Sequence, residues 1–108
     1  MNKKYRVKWA HPAQLDLMEI AGFISQDRPA VARKIAKKIR RRISSLKTSP
    51  ERGRVVPELE KQGITQYREI IISPWRVIYR IDERTVYILL VVDGRRNLED
   101  VLFMRLMR

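Results

Sequence analysis

The sequence contains no cysteine, which excludes disulfides and thiolate metal sites and suits a reducing compartment. A single histidine, His11, excludes a multi-histidine metal centre. It precedes Pro12 at a helix start and is assigned no chemical role. No apolar run approaches the roughly 20 residues needed to span a bilayer. The opening MNKKYRVKWA is charged without a following apolar stretch, so it does not read as a secretory signal. No internal repeat, linker or low-complexity segment is present, so residues 1–108 read as one domain with a modest core. A hydrophobic fraction of 44% argues against wholesale disorder. The expectation is a soluble, cytoplasmic domain that uses no metal and no cofactor and does not engage a membrane.

Acidic residues are scarce too. Twelve Asp and Glu oppose 24 Lys and Arg, for a net charge of +12. The excess is concentrated. Residues 28–54 carry eleven basic side chains and one acid, whereas residues 1–27 and 55–108 are each only one charge positive. A field of this strength attracts polyanions: nucleic acid, ribosomal RNA, an acidic protein or an anionic membrane. A solvated helix face would need no such partner, but it would not require the charge to be so localised.

Residues 4–9 alternate strictly, with Tyr5, Val7 and Trp9 opposite Lys4, Arg6 and Lys8, which predicts a half-buried strand. Pro12 suits the first turn of a helix whose apolar positions Leu17, Ile20, Ala21 and Ile24 recur at spacings of three and four. That helix should stop near Asp27, because Pro29 disfavours helical geometry at Arg28. A second helix from about Pro29 to Leu46 has the stripe Val31, Ile35, Ile39, Ile43 and Leu46. So short a turn predicts a helical hairpin. The period then changes. Tyr67–Ile72, Trp75–Ile81 and Thr85–Val92 read as an antiparallel meander. In the middle strand Trp75, Val77, Tyr79 and Ile81 share one face, and Arg76 and Arg80 the other. The last strand is apolar throughout, as a strand covered on both faces should be. Residues Leu98–Met107 suit a terminal helix with Asn97 as N-cap. The fold class is therefore α+β, in the order β-α-α-β-β-β(-α). A small, mainly antiparallel twisted sheet should carry the helical hairpin on one face.

This order combines with particular residues. The opening strand leads to a helix with Leu17 and Ile20, then Pro29-Ala30 starts a basic helix. Gly53-Arg54-Val55-Val56-Pro57-Glu58, Tyr67-Arg68-Glu69-Ile70 and Trp75-Arg76-Val77-Ile78-Tyr79-Arg80-Ile81 follow, and Val92-Asp93-Gly94-Arg95-Arg96-Asn97-Leu98 leaves the final strand. Over essentially its whole length the chain resembles the RelE/ParE toxin superfamily of type II toxin–antitoxin modules, the plasmid-stabilisation toxins. The resemblance implies a growth-inhibiting toxin neutralised by an acidic or amphipathic antitoxin. It implies one of two targets: DNA gyrase, as for ParE-like members, or mRNA in the ribosome, as for RelE-like members.

Metal-free RNA cleavage requires a base, cations for the phosphorane and an acid for the leaving oxygen. The resemblance assigns the base to Glu58 and the cations to Arg68 and Arg76, with Arg95 or Arg96 as a third basic position. Lys4 and Arg6 would add outer phosphate contacts. Lys37, Lys38 and Arg41 of the basic helix suit ribosomal RNA, DNA or an acidic antitoxin alike. The acid is missing: cleaving members carry a Tyr or His in the C-terminal segment, where this chain has only Phe103. That gap tips the reading slightly toward the gyrase-directed branch, with a ribosome-dependent endoribonuclease as the alternative. Trp9, Trp75 and Tyr79 fall at core phases, Trp75 and Tyr79 opposite Arg76 and Arg80, so they do not form a base-stacking sheet. Leu98, Val101, Leu102 and Leu106 either pack on the sheet or leave an apolar patch for the antitoxin.

Overall fold

The computed structural model describes residues 4–106. Alternation at the start produces β1 (Arg6–Trp9), and α1 (His11–Ser25) follows at once with Pro12 in its first turn. Pro29 opens α2 (Pro29–Ser44), which tightens into a 3₁₀ turn at Ser45–Lys47. Two short elements, β2 (Arg54–Val55) and α3 (Pro57–Glu60), precede the meander of β3 (Tyr67–Ile72), β4 (Trp75–Asp82) and β5 (Thr85–Asp93). The chain then forms α4 (Leu98–Leu106), and Met107 of the expected terminal helix lies outside the described residues. Asn97 caps α4 as expected, its side-chain oxygen accepting the Asp100 N–H at 3.0 Å.

The five strands run in the order β1-β5-β4-β3-β2. β1 lies parallel to β5, and every other pairing is antiparallel. The meander thus takes the interior positions and β1 adds to β5 after the helical hairpin has crossed over. The hairpin covers one face, burying Ala13, Leu17, Ile39, Ile43 and Leu46 against Ile70, Ile72, Val77, Tyr79, Val86 and Ile88. On the far face α3 and α4 cover a second, smaller cluster of Val56, Ile78, Leu90, Val92, Leu98 and Val101.

The all-apolar run of β5 has a local cause as well as a global one. Tyr79 pairs with Ile88 and Ile78 with Leu90, so Leu89 is an extra residue in β5. Such a bulge reverses the side-chain alternation. Val86 and Ile88 face the hairpin before it, and Leu90 and Val92 face α4 after it. The terminal segment therefore packs on the sheet through Leu98 and Val101, leaving Phe103 and Met104 exposed.

Candidate functional site

The most densely connected polar group in the molecule lies on the far face, where β2, β3, β4 and α3 converge. Antiparallel pairing sets Glu69 of β3 beside Arg54 of β2, and Arg76 of β4 two pairs further along, on the same face. Glu69 is 1% exposed. Its two carboxylate oxygens accept from Arg54 Nε at 2.8 Å and from Arg76 Nε at 2.5 Å. The outer fork of Arg76 then donates to both oxygens of Glu58 at 2.7 and 2.8 Å. A bidentate fork is the strong form of this contact. It holds the Glu58 carboxyl down at about 2, with the Arg76 hydrogen bonds as the main cause, and it raises Arg76 further above its usual range. Pro57, at the start of α3, fixes the turn that points Glu58 inward.

Arg68 is elsewhere. It pairs across the strands with Tyr79, whose ring lies in the hairpin-side core, so Arg68 is on the opposite face from Glu58 and Arg76. There its guanidinium donates to the Gly53 carbonyl at 2.7 Å. Tyr79 hydroxyl donates to the Pro50 carbonyl at 2.7 Å and accepts the Gly53 N–H at 2.9 Å. Burial raises the Tyr79 phenol above its ordinary pKa. Gly53 is needed because a Cβ would stand 2.4 Å from the Glu69 carbonyl and 2.7 Å from the Tyr79 hydroxyl. The three residues assigned to catalysis by the resemblance are therefore split. Glu58 and Arg76 are joined to each other, and Arg68 braces the loop before β2.

The expected nucleic-acid contacts are likewise dispersed. Lys37, Lys38 and Arg41 are exposed on α2, in the layer that covers the near face. Arg6 and Lys8 alternate with Val7 and Trp9, which pack on the hairpin, so they lie on the far face. Lys4 is exposed just before β1. Arg95 and Arg96 project from the turn after β5, where Arg95 folds back onto Asp93 at 2.6 Å and holds that carboxyl at about 2. Arg80 pairs loosely with Asp82 at 3.6 Å.

One functional group that sequence reasoning overlooked is Asp16. Pairing of β5 with β1 ends at Ile88, which leaves the Val91 N–H without a strand partner on that side. Asp16 Oδ2 accepts it at 2.9 Å, and Oδ1 accepts from Arg105 of α4 at 2.5 Å. One carboxylate thus ties α1, β5 and α4 together.

Comparison with known proteins follows the same lines. Residues 7–98 match the family model described as the ParE toxin of the type II toxin–antitoxin system parDE. Among solved structures, the chain is similar to a chromosomal ParDE toxin–antitoxin system from P. aeruginosa. The identity is 19%, covering 84% of this chain and 97% of that one with a TM-score of 0.70. It is also similar to a RelBE toxin–antitoxin complex from Mycobacterium tuberculosis, at 22% identity, 83% and 91% coverage and a TM-score of 0.58. No curated protein matches the sequence.

Proposed function

Because the chain belongs to the ParE toxin family of type II toxin–antitoxin systems, we propose that it arrests bacterial growth by inhibiting DNA gyrase and is held in check by a cognate antitoxin. The observation that carries this reading over messenger-RNA cleavage is the Glu58–Arg76 fork. A general base works best with a pKa near the operating pH, and Glu58, held at about 2, is a poor proton acceptor. Three of the five N–H donors of Arg76 are engaged by Glu58 and Glu69, and the side chain is buried, which disfavours a further role at a phosphorane. Arg68 approaches from the wrong face of the sheet. An inhibitor that works by binding needs a rigid scaffold and an accessible surface rather than such a set.

The antitoxin is supported by surface left uncovered. Leu15, Met18 and Phe23 of α1 are exposed, Phe23 by 76%. Apolar surface of this kind suits a partner segment with an apolar stripe. The concentrated positive charge of α2 suits an acidic one. Both solved neighbours come from toxin–antitoxin systems.

The direct test is a supercoiling assay with purified gyrase, relaxed plasmid, ATP and the purified chain. Loss of supercoiling or trapped linear plasmid, reversed by the cognate antitoxin, is the expected result. Undisturbed supercoiling at a large excess of the chain rejects the proposal.

A further inference from the structure

Pairing across the sheet creates a feature that no single strand displays. Lys8 of β1 pairs with Tyr87 of β5, Tyr87 with Arg80 of β4, and Arg80 with Tyr67 of β3. Cross-strand partners share a face, and this row, cation–aromatic–cation–aromatic, lies on the far face. Its members are not buried: Lys8 is exposed, and Tyr67, Arg80 and Tyr87 are partly so. The Arg80 guanidinium sits 4.8 Å from the centre of the Tyr87 ring, within cation–π range. Arg6, two residues before Lys8 on β1 and on the same face, and Arg84, in the turn between β4 and β5, add exposed cations at the same end of the sheet. The acids nearby are Asp82, which reaches Arg80 at 3.6 Å, and exposed Glu83.

We propose that this row is a binding platform for single-stranded nucleic acid, distinct from the Glu58–Arg76 network and independent of the gyrase reading. Bases stack on aromatic rings and on the planes of arginine guanidinium groups. Tyr87 and Tyr67 are two strand spacings apart, about 9.5 Å. The Arg80 guanidinium lies over the Tyr87 ring and Tyr67 packs in part against the α3–α4 cluster, so the outer side of the Arg80–Tyr87 stack is the surface a base would meet. Arg6 and Lys8 flank this surface at the β1 edge, where they would meet the phosphates of a strand laid across it. Arg80 keeps donors for a ligand because its ion pair is long and its side chain is partly exposed. Four residues of β4 separate Arg80 from Arg76, about 13 Å, so the row is a separate place on the sheet. An acidic peptide would use the cations alone and gain nothing from the flat outer side of the Arg80–Tyr87 stack. A duplex hides its base faces and would gain nothing from them. The α2 cations belong to the opposite layer and cannot join this contact.

The test is fluorescence anisotropy of the full chain with labelled ten-nucleotide oligo-U, oligo-dT and a duplex of equal length, across a salt series. Tyr87→Leu should weaken both single strands about tenfold, in line with the loss of one base stack. Tyr87→Phe should retain binding. Arg80→Gln should weaken binding and reduce the salt slope by about 0.7. Neutralising α2 through Lys37→Gln, Lys38→Gln and Arg41→Gln should leave the preference for single strands intact. Thermal melts of each variant confirm that the fold survives. Equal binding of oligo-U and oligo-dT supports recognition through bases and phosphates, and stronger binding of oligo-U adds the 2′-hydroxyl. The proposal is overturned if Tyr87→Leu and Arg80→Gln bind like the parent, if duplex binds as tightly as single strands, or if polyglutamate displaces oligo-U at equal charge concentration.

Discussion

The Glu69 carboxylate has almost no contact with water, and that makes its two arginine partners unequal. Arg54 is largely exposed and its contact is screened, whereas Arg76 is itself buried and donates from beneath α3. Arg76→Met should therefore destabilise the fold by about 3–5 kcal/mol, the cost of stranding a buried charge. Arg54→Ala should cost less than about 1 kcal/mol. Chemical denaturation of both variants checks the contrast. Glu58 gives the same network a pH signature. Its folded pKa lies below its ordinary value, so its contribution is complete above about 4.5 and is lost as pH falls toward about 2. Glu58→Gln should flatten the stability profile across that window and leave it unchanged near neutrality apart from a constant offset. Asp16 is the other residue with consequences beyond its own helix. Asp16→Ala leaves the Val91 N–H and the Arg105 guanidinium without their acceptor, and an expected loss of about 2–3 kcal/mol follows. A melt within a degree of the parent would contradict this.

Elements long enough to show a period or an unbroken apolar run were legible in the sequence, and the shortest ones were not. β3, β4 and β5 begin at Tyr67, Trp75 and Thr85 as expected; α1 ends at Ser25, two residues before the expected stop at Asp27, and α2 ends at Ser44 with a 3₁₀ turn carrying the stripe to Leu46. The two residues of β2 and four of α3 are too short to carry a period. The bulge at Leu89 is invisible in an unbroken apolar run, since every phase looks equally buried. The candidate site was legible only as a set of residues. Arg68 and Arg76 stand on adjacent strands, but whether they share a face depends on the register, which places Arg68 with Tyr79 and Arg76 with Ile71. The same missing register hid the Tyr67–Arg80–Tyr87–Lys8 row. Only Trp75 and Tyr79, within one strand, could be compared with Arg76 and Arg80. At α4 the packing changes which experiment is informative. Leu98 and Val101 are buried on the sheet, so truncation after Arg96 would uncover Ile78, Leu90 and Val92 and damage the fold. Phe103→Gln with Met104→Gln instead alters only the exposed side of α4. If this surface contacts the target, the pair should relieve growth inhibition while shifting the melting temperature by no more than a few degrees.

At the scale of the whole molecule, the sheet separates three charged surfaces that one net charge conceals. The α2 cations cover the near side, the Arg80–Tyr87 row occupies one end of the far face, and Arg95 and Arg96 leave the opposite end of β5. Between them the ion network of Glu58, Arg76, Glu69 and Arg54 knits α3 to the sheet. A chain whose best candidate base is locked to an arginine should act through binding. The most direct measurement is induction of this chain alone in a bacterial host, with DNA breaks and transcript ends mapped in the same culture. Growth arrest with DNA breaks and intact messages is the predicted result. Fresh cuts within translated messages on undamaged DNA would contradict it.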